Sequence, residues 1–163
     1  YNRRDYCKTI EQLISAIPAD KSIFLLGRYS FDDYYLSFMY QSIKEGNRFY
    51  YIIGNRKIEF LTVHKSKGLE ADYVILLQCN KDTYGFPSLI NDDPILNYVL
   101  TQSDQFPYGE ERRLFYVAIT RAQKKLYITR ARQKNAGRDG RIIISKPSRF
   151  LKEIPVDLTE EAF

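Results

Sequence analysis

Three short runs constrain this chain more than anything else in it: SIFLLG at 22–27, IEFLTV at 58–63 and YVILL at 73–77. The first and third are unbroken apolar sequence, five or six residues long, bounded by charged or turn-forming residues. A strand with one wet face alternates apolar and polar side chains. Runs without alternation belong to strands covered on both faces, which means a mainly parallel sheet between helical layers.

The intervening segments supply those layers. Ile10, Leu13, Ile14 and Ile17 recur at helical spacing over 5–17, and Pro18 stops the pattern. Leu36, Met39, Tyr40 and Ile43 predict a second helix, from a cap at Ser30 or Asp32 to Gly46. A third spans Glu110–Ala122, with Leu114, Phe115, Ala118 and Ala122 on one side. RFYYII at 48–53 reads as a strand followed by a Gly54-Asn55 turn, and further strands are expected at Leu126–Thr129 and Arg141–Ser145. Residues 80–108 read as irregular, with one short helix around Pro94–Leu100. Strands alternating with helices predict a single α/β domain over 1–163, a sandwich whose mainly parallel sheet is flanked by helices.

Charge narrows the class of partner. The net charge is only +5, but residues 121–149 hold ten Lys and Arg against one acid, Asp139, and no basic residue lies from Asp82 to Glu111. A basic block beside an acidic stretch fits a polyanion such as nucleic acid. The apolar runs are too short to span a bilayer, so no membrane partner is expected. Cys7 and Cys79 match no zinc or redox spacing and suit reduced thiols in a cytoplasmic protein. The opening YNRRDYCKT has no methionine, which suggests a piece of a longer polypeptide.

Between the second and third runs lies HKSKGLE, 64–70, carrying the only histidine of the chain. Gly68 suits a close backbone approach or a tight turn, and a strand-to-helix turn near Ser66 would aim free N–H groups at an anion. Lys65 and Lys67 add positive charge, Glu70 offers an acceptor to hydroxyls such as a ribose, and His64 can donate to a phosphate. The insert follows a strand, where open α/β sheets place ligands. The second constellation is EERRLFYVAITRAQKKLYI, 110–128. Glu110 and Arg113 have the spacing of a helical ion pair. Arg121, between an apolar helix and a strand, is placed to project from a sheet end, where an arginine can stabilise charge on a transferring phosphoryl group. The G-x-x-x-x-G-K-[ST] phosphate loop is absent.

LTVHKSKGLEADYVILL and EERRLFYVAITRAQKKLYI together resemble motifs V and VI of UvrD/Rep-type superfamily 1 DNA helicases. GFPS at 85–88, KPSRFLKEIP at 146–155 and SIFLLGRYSFDDYYLSF at 22–38 match flanking segments in family order, and GLEADYV and FPYGEERRLFYVAITRA sit with the helicase IV branch. The resemblance covers about 22–155 and implies the second RecA-like domain of a motor, a P-loop-NTPase-type sandwich without its own Walker A loop. It implies ATP and Mg2+, bound mainly by an N-terminal RecA-like domain, with single-stranded and duplex DNA as partners. Gly68, Glu70 and Arg121 would face the nucleotide, with Arg121 as the arginine finger. Thr62, His64, Arg28 and Ser30 would face DNA. The family's N-Y-R element is missing, and only residues 44–60 stand where many relatives carry a large insertion. A helicase-like binding module without a motor cycle, or a motor fused to a nuclease, are the alternative readings.

Overall fold

The computed structural model describes residues 3–90, 108–136 and 141–160. A six-stranded sheet forms the centre of the fold. Its parallel part runs, in order across the sheet, β6 (Ala122–Ile128), β5 (Ala71–Leu76), β1 (Ile23–Gly27) and β4 (Arg56–Thr62). An antiparallel edge follows, made of β3 (Arg48–Ile53) and β2 (Gln41–Glu45). Helices α1 (Arg3–Ser15), α2 (Tyr34–Met39) and α3 (Gly109–Ile119) complete the α/β arrangement expected from the apolar runs.

Alternation along the central strands feeds two cores. Ile23 and Leu25 of β1, Ile58 and Phe60 of β4 and Ile75 of β5 join Ile10, Ile14 and Leu36 from the first two helices. Leu26, Leu61, Val74 and Leu76 join Leu114, Phe115 and Ala118 of α3. Both faces of the sheet are therefore dry, as unbroken apolar strands require. The GFPS and KPSRF segments meet on the α3 side. Phe86, Phe115 and Phe150 are all buried there, with ring centroids 5.1–6.1 Å apart.

One expectation about local structure is corrected. The second helix ends at Met39, and residues 41–45 form a strand paired with β3, Ser42 opposite Tyr51 and Glu45 opposite Arg48. Ile43 lies on this edge hairpin, where Gly46 takes φ +58 at the turn. The hairpin supplies a backbone ladder that helical spacing over one turn does not outweigh. The helix expected around Pro94–Leu100 lies outside the described residues. The strand expected at 141–145 forms over Arg141–Ile144, in a separate two-stranded ribbon with residues 133–136.

Both cysteines are free and buried. Burial pushes the Cys79 thiol up to about 12, partly opposed by a hydrogen bond with Ser148, and pushes Cys7 up to about 11, with Glu11 adding to the rise. Neither supplies a thiolate near neutral pH.

Candidate functional site

The connection from Val63 to Glu70 is what organises the site. It leaves β4 at the carboxyl edge of the parallel strands, where Thr62 is level with Gly27, and enters β5 at the amino edge, where Ala71 is level with Ala122. With β1 lying between β4 and β5, the eight residues cross the sheet from one edge to the other. Val63 and Leu69 hold the crossing against the α3-side core, and Ser66 is buried, its hydroxyl donating to the Val63 carbonyl at 2.8 Å. One short motif thus serves two edges that lie roughly 15 Å apart, the rise of a five-residue strand.

The crossing is a run of turns, which corrects the helix start expected near Ser66. Ser66 N–H donates to the Thr62 and Val63 carbonyls, Lys67 N–H to His64 and Leu69 N–H to Ser66. Those N–H groups are already satisfied, so they do not form the anion-binding end of a helix. Gly68 is exposed at φ +82, with nothing within 4 Å of where a Cβ would stand. Backbone conformation, not crowding, calls for glycine here.

At the amino edge Arg121 is fixed by its own neighbours. Its Nε donates to the Val117 carbonyl at 3.0 Å, Nη1 to the Leu69 carbonyl at 3.0 Å and Nη2 to Thr120 Oγ1 at 3.0 Å. Its carbonyl accepts from Ala71 N–H at 3.0 Å. A guanidinium has five N–H donors, so two remain for an anion after those three bonds. The bond to Leu69 ties the guanidinium to the backbone of the residue that separates Gly68 from Glu70 in the chain, and Gln123 Nε2 donates to Glu70 Oε2 at 2.9 Å. Gly68, Glu70 and Arg121, expected to share a site, are brought together. Beside them Asp72 ties three strand starts: it accepts from Ser22 N and Oγ at 3.0 and 2.9 Å and from Lys124 Nζ at 2.8 Å. The Lys124 bond, then those of Ser22, hold its carboxyl well below the ordinary carboxylate range.

Thr62, His64, Arg28 and Ser30 all lie at the carboxyl edge, on or just after β4 and β1. His64, Lys65 and Lys67 are exposed on the crossing, as is Ser30 on the neighbouring loop. Arg28 faces inward. Its Nε donates to both carboxylate oxygens of Glu111 at 3.1 Å, its Nη2 donates to Oε1 at 2.5 Å, and the two side chains are only 16% and 14% exposed. Glu111 also accepts from Ser88 N–H at 2.9 Å. Arg28 is therefore engaged within the domain. Glu111 and Gln123 were not legible in the sequence: their partners lie 83 and 53 positions away, beyond any helical spacing rule. The Glu110–Arg113 pair forms at 3.0 Å but is exposed, so it contributes only a few tenths of a kcal/mol.

Residues 37–133 match the UvrD-like helicase C-terminal domain, more than half of the chain. The chain belongs to that family. It is 41% identical to DNA helicase IV of Escherichia coli (strain K12) over 71 residues, 44% of this chain and 10% of that protein. It is 38% identical to the ATP-dependent DNA helicase Rep of Buchnera aphidicola subsp. Baizongia pistaciae over 104 residues, 64% of this chain and 13% of that protein. With the ATP-dependent DNA helicase PcrA of Leuconostoc citreum, identity is 34% over 110 residues, 68% of this chain and 13% of the relative. The chain thus covers only about an eighth of the length of the curated relatives it matches. Within the family match fall Thr62, His64, Gly68, Glu70 and Arg121, whereas Arg28 and Ser30 precede it. No helix among the described residues is long and apolar enough to cross a membrane.

Proposed function

We propose that this chain is the C-terminal motor half of an ATP-dependent DNA helicase that moves along single-stranded DNA and opens duplex. The observation that carries the reading is the separation of duties across the sheet: Arg121, Gly68 and Glu70 gather at the amino edge, while Thr62 and His64 stand at the carboxyl edge, joined by one eight-residue crossing. ATP is the substrate of the amino edge. Arg121 presents its two remaining N–H groups to the γ-phosphoryl oxygens and stabilises charge there, and Glu70 accepts from the ribose hydroxyls while Gly68 lies near the phosphates. Mg2+ and the triphosphate are gripped mainly by a second RecA-like lobe of the same polypeptide. Among the described residues no group of three or more His, Cys, Asp or Glu is placed to hold a metal ion.

Because Val63–Glu70 ties the two edges, closure of the lobes on ATP moves the backbone that carries Thr62 and His64, and the grip on DNA shifts with it. Thr62 and His64 touch the DNA backbone, and Ser30 lies near its path. Arg28 acts from behind the same rim, held by Glu111.

In the full-length protein, Arg121→Ala is expected to leave DNA affinity and melting temperature near wild type while ATP turnover falls about 10³-fold or more. Intact turnover in that variant removes Arg121 from the mechanism. The 163-residue chain by itself is expected to hydrolyse no ATP, and turnover by the purified chain would contradict the two-lobe site. A wild-type full-length protein that binds DNA without ATPase would favour a binding module over a motor.

A further inference from the structure

Resting on the reading of Glu70 as the acceptor for ribose hydroxyls, we propose that Gln123 is the positioning residue of that carboxylate, carried on an irregularity of β6, and that it sets how strongly the site discriminates the sugar of its nucleotide. Gln123 Nε2 donates to Glu70 Oε2 at 2.9 Å, across 53 positions of sequence. Among the described residues the Gln123 side chain bonds to Glu70 alone, and Glu70 to Gln123 alone.

The register of the sheet explains how the two meet. Ala71 stands opposite Ala122, but the next partners are Tyr73 and Lys125. Two steps along β5 therefore span three along β6, and β6 holds one extra residue at Gln123 and Lys124. A regular strand sends successive side chains to opposite faces, and a bulge breaks that alternation and re-aims a side chain. Here both neighbours turn to the start of β5: Gln123 reaches Glu70, and Lys124 Nζ pairs with Asp72 Oδ1 at 2.8 Å. Lys124 and Asp72 secure the strand starts, with Ser22 as their third member. That leaves Gln123 with Glu70 as its one task.

Glu70 and Gln123 are both exposed, so their bond adds little to folding stability, and its consequence is orientation. The backbone on either side of Glu70 is already fixed by Arg121: the Leu69 carbonyl accepts from its Nη1, and Ala71 N–H donates to its carbonyl, both at 3.0 Å. Only the Glu70 side chain is left free to rotate, and Gln123 removes that freedom before a ligand arrives. An ionised carboxylate offers about four lone-pair sites, and Gln123 takes one of them, so Oε1 and a second site on Oε2 remain for hydroxyl donors. A neutral amide also orients the carboxylate without placing a full positive charge on it, which leaves Glu70 a strong acceptor. The same arginine thus braces the backbone of the sugar acceptor, and Gln123 completes it.

The test is steady-state turnover by the full-length protein of ATP and of 2′,3′-dideoxyATP, which lacks both ribose hydroxyls. Wild type is expected to show the lower KM for ATP. Gln123→Leu, close in size but without a donor, is expected to narrow the ratio of the two KM values by roughly 2- to 10-fold, the worth of one hydrogen bond, with the change in KM rather than in kcat. Gln123→Glu, which sets a second carboxylate against Glu70, is expected to narrow it at least as far. A residue that merely stabilised the strand start would lower the melting temperature and raise both KM values together. If the variants keep the wild-type ratio, whether or not both KM values rise, the positioning role is overturned while the ribose reading stands. If wild type does not distinguish the two nucleotides, or does not turn over ATP, the ribose reading falls and this inference with it.

Discussion

The two edges of the parallel sheet are built from different chemistry. The amino edge is a lattice of fixed hydrogen bonds: Arg121 to three acceptors, Gln123 to Glu70, and Asp72 to Ser22 and Lys124. The carboxyl edge carries exposed rings and cations, from Phe31 and Tyr84 to His64 and Lys65. A rigid fork suits one anion in one geometry, where small displacements weaken charge stabilisation steeply. Rings and mobile ammonium groups suit a polymer that presents each residue in turn, since every base has a face and every link a charge. Under the proposed function, the difference amounts to a separation of fixing from sliding, with the crossing at 63–70 as the link between the two edges.

The largest effect should come from replacing the fork while keeping its charge. Arg121→Lys in the full-length protein is expected to lower ATP turnover about as far as Arg121→Ala, roughly 10³-fold, since one ammonium cannot reach Val117, Leu69, Thr120 and a phosphate together. Steady-state kinetics decide this, and a lysine variant near wild type would show that the amino edge needs charge alone.

Next is the prop beneath the carboxyl edge. Glu111→Ala strands the half-buried Arg28 and the Ser88 N–H, and is expected to cost about 3–5 kcal/mol in chemical denaturation. A loss under 1 kcal/mol would mean that Arg28 swings out to solvent at little cost.

Smaller still, Lys65→Gln with Lys67→Gln is expected to shallow the salt dependence of single-strand affinity by about one unit of log–log slope per contacting lysine, with ATPase maximum unchanged. An unchanged slope places the phosphate contacts elsewhere.

The smallest concerns pH. The Asp72 carboxyl is depressed below its unfolded value of about 3.9. Its contribution to stability is thus complete above that value and disappears as pH falls through the folded pKa. Asp72→Asn is expected to lower the melting temperature slightly at neutral pH and to narrow its difference from wild type below about pH 4. Parallel melting curves throughout that range would remove Asp72 from the acid response.

Particular residues show how far the sequence reached. The unbroken runs at 22–27 and 73–77 were enough to place strands buried on both faces, because burial on both sides leaves no position for a polar residue. The periodicity from Leu114 to Ala118 gave α3 for the same reason. Helical spacing failed over 41–45, where Ile43 lies in a hairpin whose ladder runs to β3, a partner that one segment read alone does not reveal. Gly68, Glu70 and Arg121 were legible as candidates by type and position.

By itself the sequence determined which segments are buried, and so the layered class of the fold, because solvent exclusion is written residue by residue. It also marked which side chains are candidates for phosphate and nucleic-acid chemistry. The tertiary structure alone decided that HKSKGLE crosses between opposite sheet edges, that Arg28 turns inward to Glu111, and that Phe31 and Tyr84 share a cleft with Gln78. Those outcomes depend on pairings between residues tens of positions apart, which form only when strand order and register are fixed.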